Sequence, residues 1–244
     1  MTSANALSAA RPPSLWVLGS VLAFGPFLLF LDSFARAPWP DQFVLGLITL
    51  AVLWLTARWV AHEDRKIVWL CAIVATGFEV LGSQVWGGYR YRFGAIPFFV
   101  PFGHGLIYVF GLTLASTDLI RRHERPFTLG ILAVATIWTL AGLTVLPALT
   151  GRYDVHGLVW LPLFAYVLLR SPRRAFFAAL FIATSDVELF GTWFHCWTWL
   201  AHTPALHVTS GNPPSAIAGG YAIIDGTVLL AAQFLRGMRR AATC

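Results

Sequence analysis

Hydrophobic positions in this chain do not alternate with polar ones at a strand or amphipathic-helix period. They run continuously. Eight apolar stretches stand at about 14–32, 42–58, 67–86, 98–119, 127–149, 156–170, 175–195 and 215–235. A hydrocarbon core of ~30 Å takes about 20 apolar residues per helix, so each stretch predicts a membrane-spanning helix, the sixth a short one. The fifth ends near Pro147, and the eighth follows Asn212, Pro213 and Pro214. Residues 1–13 are polar and rich in small side chains, and predict a disordered tail before one transmembrane domain over 14–244. The expected fold is all-α: a polytopic membrane helix bundle of about eight transmembrane helices.

Composition supports the same class. Of 244 residues, 57% are hydrophobic and only 11% charged, against roughly 25% charged in an average soluble domain. That excludes an ordinary cytosolic enzyme or a nucleic-acid module, despite a net charge of +6. The basic residues mark topology instead. Arg11, Arg58, Arg65, Lys66, Arg121, Arg122, Arg125, Arg170, Arg173, Arg174, Arg236, Arg239 and Arg240 fall on one side of the eight-span pattern, and Arg36, Arg90, Arg92 and Arg152 on the other. The expected placement is a bacterial inner membrane with both termini cytoplasmic.

Two stretches resemble each other. Glu79-Val-Leu-Gly82 leads into Trp86, Tyr89 and Tyr91; Glu188-Leu-Phe-Gly191 leads into Trp193, Trp197 and Trp199. Downstream, Pro101 and Tyr108 match Pro214 and Tyr221 at the same spacing of seven. This pattern predicts two parallel four-helix repeats, 14–122 and 123–240, with spans three and seven together at the centre and Glu79 facing Glu188.

Ionisable residues inside a bilayer cost ~2.5–3.5 kcal/mol each on insertion scales, so they mark candidate chemistry. Glu79, Asp186, Glu188 and Asp225 lie within the spans, and His104 and His195 near helix ends. Glu188 and His195 share a helical stripe with Thr184 and Thr192. Asp186 points away from Glu188, toward span eight or a neighbouring groove. Trp86, Tyr89, Tyr91, Tyr108, Trp193, Trp197, Tyr221 and Asp225 are expected to wall a site for a lipid-soluble ligand, part of the aromatic content being an interfacial belt. The histidines lack metal-ligand spacing, Cys71, Cys196 and Cys244 form no motif, and nucleotide-binding and serine-hydrolase signatures are missing. No metal or other cofactor is expected.

The segment from Phe78 to Gly111, with its Glu-x-x-Gly, the Gly-Gly-Tyr-x-Tyr of Gly87–Tyr91, and Pro97 and Pro101, resembles the membrane carotenoid biosynthesis family. Characterised members of that family are carotenoid 1,2-hydratases acting on acyclic ψ ends. The resemblance implies a polyisoprenoid pigment as substrate. Hydrating an alkene takes an acid, a pocket that tolerates a tertiary carbocation, and a base for water. Glu79 and Glu188 are the expected acid and base, in either order, with Asp186, His104 and His195 orienting or relaying. The alternative is a small proton- or cation-coupled transporter or a lipid-binding membrane protein.

Overall fold

The computed structural model describes residues 15–241; the expected tail at 1–13 lies outside them. The chain is a helix bundle capped at one end by short strands. The long helices are α1 (Leu15–Asp32), α2 (Phe43–Ala57), α3 (His62–Glu79), α4 (Val100–Ala115), α6 (Glu124–Thr144), α8 (Val155–Arg170), α9 (Arg174–Trp193) and α10 (Ala218–Ala241), with short helices α5 (Asp118–Arg122) and α7 (Pro147–Thr150). Among the described residues six segments are long and apolar enough to cross a membrane: Leu15–Asp32, Pro38–Ala57, His62–Val85, Glu124–Thr144, Arg174–Trp193 and Ala218–Leu235. The chain is a membrane protein on that ground. The other two apolar helices, α4 and α8, have 16 residues each, which is ~24 Å of helix.

Local sequence sets the boundaries. Asp154 caps α8, its Oδ1 accepting the Gly157 N–H at 3.0 Å. Pro147 opens α7, and Gly151 closes it in the left-handed region at φ 68°. Beyond Glu79 the α3 helix widens into a π-helical turn, Val80–Val85, and the Trp86 N–H reaches back to the Leu81 carbonyl at 2.7 Å.

Helices α4 and α9 form the centre, packed against each other. A methyl on Gly111 would come within 2.7 Å of Leu180 Cδ2, so the glycine permits this approach. Helix α3 packs on α4 and α10; α10 also packs on α8, α6 on α8 and α9, α2 on α4, and α1 across both α4 and α9. Where the repeat predicted the third and seventh apolar stretches side by side, the two do not pack substantially on each other. Each packs on the helix that follows the other. The main core is built of Phe110, Phe164, Phe181 and Val109, with Phe164 and Phe181 stacked at 5.4 Å.

The aromatic turns contain strands that the apolar pattern did not predict. Tyr89–Tyr91 (β1) pairs antiparallel with Trp197–Trp199 (β2), Tyr89 opposite Trp199 and Tyr91 opposite Trp197. His202–Thr203 (β3) pairs with Val208–Thr209 (β4). Tyr-x-Tyr and Trp-x-Trp carry the two-residue alternation and aromatic content of strands, and Gly87 at φ 64° supplies the turn into β1. Arg92 holds β1 to the end of α1, donating from Nη1 to the Asp32 and Ser33 carbonyls at 3.0 and 2.6 Å. Arg152 and Asn212 hold β2, through the carbonyl and N–H of Trp199 at 2.9 Å each.

Candidate active site: two glutamates on one apolar cavity

Beneath the β1–β2 ribbon lies a cavity of about 480 Å³, walled by α1, α3, α4, α9 and α10. Its lining is mostly apolar, including Phe24, Leu28, Phe78, Ile107 and Ile224. Two buried carboxylates face into it, Glu79 and Glu188.

Each glutamate is held by two aromatic donors from the strand that follows it and by one group from the next helix. Tyr89 and Tyr91 both donate their hydroxyls to Glu79 Oε2, Tyr91 at 2.5 Å. His104 Nε2 lies 2.8 Å from Glu79 Oε1. On the other side, the indole N–H groups of Trp197 and Trp199 both donate to Glu188 Oε2 at 2.9 Å. Tyr221 donates to Glu188 Oε1 at 3.1 Å. The strand alternation explains the pairs: residues two apart share a face, so both tyrosines and both tryptophans point down onto the glutamates. The rings interleave, Tyr89 on Trp199 at 4.6 Å and Tyr91 on Trp197 at 6.1 Å. His104 and Tyr221 stack at 5.4 Å, inclined by 25°. Gly82 and Gly191 hold matching places. A methyl on Gly82 would press on the Tyr89 ring at 3.1 Å, and one on Gly191 would overlap the Trp197 ring. Burial and the nearby Glu79 carboxylate push the Tyr89 and Tyr91 hydroxyls up in pKa, so both stay protonated and donate.

The two sets of partners differ chemically. Indole N–H only donates, while a phenol donates and accepts and an imidazole also takes up a proton. Glu79 therefore has a partner with which to share a proton and a positive charge. Glu188 faces only neutral donors, both indoles on Oε2 and Tyr221 on Oε1.

Of the residues expected at the site, Glu79, His104, Asp186, Glu188, Trp86, Tyr89, Tyr91, Trp197 and Tyr221 line the cavity. Four do not. His195 is exposed, with a left-handed φ of 58°. Helix α9 ends at Trp193, so the stripe that would align His195 with Glu188 stops before reaching it. Trp193 itself is 77% exposed on the outside of the bundle. Tyr108 and Asp225 lie one turn beyond His104 and Tyr221, buried below the cavity. The Tyr108 ring packs on Phe176 at 4.8 Å, and its hydroxyl has no hydrogen-bond partner among the described residues. Asp186 lines the cavity but faces α1, where a methyl on Gly25 would lie 3.6 Å from its Oδ2.

Trp199, His156 and Trp160 also line the cavity. The Trp-x-Trp alternation was the available signal for Trp199. His156 and Trp160, one helical turn apart, are hydrogen-bonded: the indole donates to His156 Nε2 at 2.9 Å, and Nδ1 lies 3.1 Å from Ser210 Oγ. An Nε2 that accepts leaves the imidazole proton on Nδ1, so His156 is a neutral polar wall. Asp154 anchors the loop behind it, accepting from the N–H groups of Gly157, Gly211 and Ser215 at 3.0, 3.0 and 2.7 Å. Among the described residues no three His, Cys, Asp or Glu side chains converge in a metal-binding group.

Comparison with family models, with curated proteins and with solved structures found no match to the chain.

Proposed function

We propose that this protein is an integral membrane enzyme that adds water across a C=C bond at the acyclic end of a polyisoprenoid of the carotenoid class. The observation that carries the reading is the pair of buried glutamates, each held by three partners and both facing one apolar cavity. Burying two carboxylates in an apolar cavity is costly even when they are hydrogen-bonded, and ionisable groups kept at such depth mark functional sites. The resemblance of the Phe78–Gly111 segment to membrane carotenoid hydratases supplies the substrate class.

In this reading Glu188 Oε1 gives its proton to the less substituted alkene carbon. The π electrons form the new C–H bond and leave a tertiary cation on the neighbouring carbon. The aromatic rings overhead stabilise that cation by ~0.5–2 kcal/mol each. Water attacks the cation, and Glu79 with His104 accepts the proton released. The cycle closes by exchange with water in the cavity, which takes the proton from Glu79 and His104 and restores one to Glu188. The net change is addition of one water, with no redox step. Asp186 lines the wall beside α1 and orients the substrate.

The same reading takes α4 and α8 as the remaining two of eight spans, both termini as cytoplasmic, and the strand-capped end as outward in a bacterial inner membrane. The two halves are then parallel repeats, supported by the matched places of Glu79 and Glu188, Gly82 and Gly191, and β1 and β2. The lipid-soluble substrate enters from the bilayer. Expression in a host that accumulates acyclic carotenoids tests the reaction: extracted pigment should gain one water by mass. Unchanged pigment, with the protein present in the membrane, overturns it.

A further inference from the structure

The cavity has one exposed rim. Among its lining residues only Trp86, Ala205, Leu206 and Ile223 are exposed; all others are half-buried or buried. Ile223 belongs to α10, Trp86 follows the end of α3, and Leu206 overhangs from the β3–β4 loop. The rim therefore stands where α3 meets α10.

Helix packing explains why the opening is there. Helices α4 and α9 form one pair and α3 and α10 the matching pair, each joining a helix that carries one cavity glutamate to a helix that carries the third partner of the other. Helix α1 lies across α4 and α9, and Gly25 sits against Val187 and Asp186 there. Among the described residues no third helix packs substantially on both α3 and α10.

The cavity is also too small for a long chain. At ~30 Å³ per water-sized group, about 480 Å³ holds on the order of 16 such groups, about three isoprene units. A longer acyclic polyisoprenoid with its reacting end at the glutamates must run out through the rim.

We infer that the groove between α3 and α10 is a second binding subsite, which takes the long hydrocarbon tail of the substrate while its reacting end occupies the cavity. This rests on the polyisoprenoid reading above and adds where the rest of the molecule lies. Along the groove, Val74 stands one turn before Phe78 and Thr227 one turn after Ile223, so each continues a cavity-lining stripe. Both are half-buried. The subsite is apolar and recognises length and extension, not a head group.

Two measurements on the full-length protein in lipid nanodiscs test it. In Thr227→Cys, alkylation by a membrane-permeant maleimide should slow at least threefold with a long acyclic carotene and stay unchanged with a short acyclic isoprenoid that fits the cavity. In Ile223→Trp, hydration of the long carotene should fall tenfold or more, and hydration of the short isoprenoid less than threefold. Equal protection by both ligands, no protection by either, or equal loss on both substrates overturns the tail subsite. Failure of the hydration reading looks different. The unaltered protein would then leave both substrates unhydrated, while length-selective protection of Thr227→Cys would still establish the groove as a chain-binding site.

Discussion

Replacing either glutamate by glutamine separates chemistry from folding. In Glu188→Gln the amide oxygen can take the Oε2 place and accept both indole N–H groups, while the amide nitrogen donates to the Tyr221 oxygen. In Glu79→Gln the amide oxygen accepts from Tyr89 and Tyr91, and the nitrogen donates to His104 Nε2. Every partner keeps a hydrogen bond, Tyr221 and His104 by accepting in place of donating, so each fold should survive, with a loss of ~1–3 kcal/mol or less. Alanine behaves differently. It strands the buried partners of the glutamate at ~1–3 kcal/mol each, which sums to a large share of the ~5–15 kcal/mol that holds a domain together. Activity should follow another order. A lost general acid or base costs ~10²–10⁴-fold in rate, so both glutamine variants should be nearly inactive while melting within a few degrees of the parent. The assay is pigment turnover in nanodiscs beside melting in detergent. Full activity in either glutamine variant refutes the acid–base assignment. Melting of Glu188→Gln as low as Glu188→Ala refutes the account of the hydrogen bonds.

Gly191→Ala should push the Trp197 indole off Glu188, costing ~1–3 kcal/mol by overpacking and lowering both melting temperature and turnover. Gly130→Ala, with open space around it, should leave both unchanged. His195→Ala should keep turnover within twofold of the parent, because the side chain is exposed outside the cavity; a loss approaching that of Glu188→Gln would return His195 to the site. Cysteines placed at His202 and Arg173 should label from opposite sides of the membrane, the former from outside; outside labelling at Arg173 would invert the topology.

The helices were legible because burial in lipid demands long, unbroken apolar runs, and such runs are visible without any alignment of faces. The glutamates were legible for the same reason, as rare charges within those runs. The strands were hidden by their own composition. Tyr89, Tyr91, Trp197 and Trp199 have the residue types of an interfacial belt, and a three-residue alternation carries little signal beside that. His195 was misplaced because a helical stripe was extended two residues past the end of α9 at Trp193. The match drawn between the two stretches was off by one turn downstream of the glutamates. The Pro-to-Tyr spacing aligned Tyr108 with Tyr221, but the partner of Glu79 that corresponds to Tyr221 is His104, four residues earlier. A four-residue slip preserves the helical face, so the pattern gave no sign of the error, and Tyr108 was assigned to a wall it lies beneath.

That slip also concealed the difference between the two halves of the site. Two ionised carboxylates on one apolar cavity repel, and one must hold a proton if they share the space. Matched frames alone would leave Glu79 and Glu188 equivalent, with the proton on either. The partners break the equivalence. Two phenols and an imidazole surround Glu79, so a negative charge there is met by strong donors and by a group that can become a cation. Two indoles and one phenol surround Glu188, which supply hydrogen bonds but no compensating charge. On the proposed reading, this difference assigns the acid role to Glu188 and the base role to Glu79. In the proposed mechanism the two roles differ because tryptophans stand on the Glu188 strand where tyrosines stand on the Glu79 strand, and a tyrosine on the following helix where the other site has a histidine.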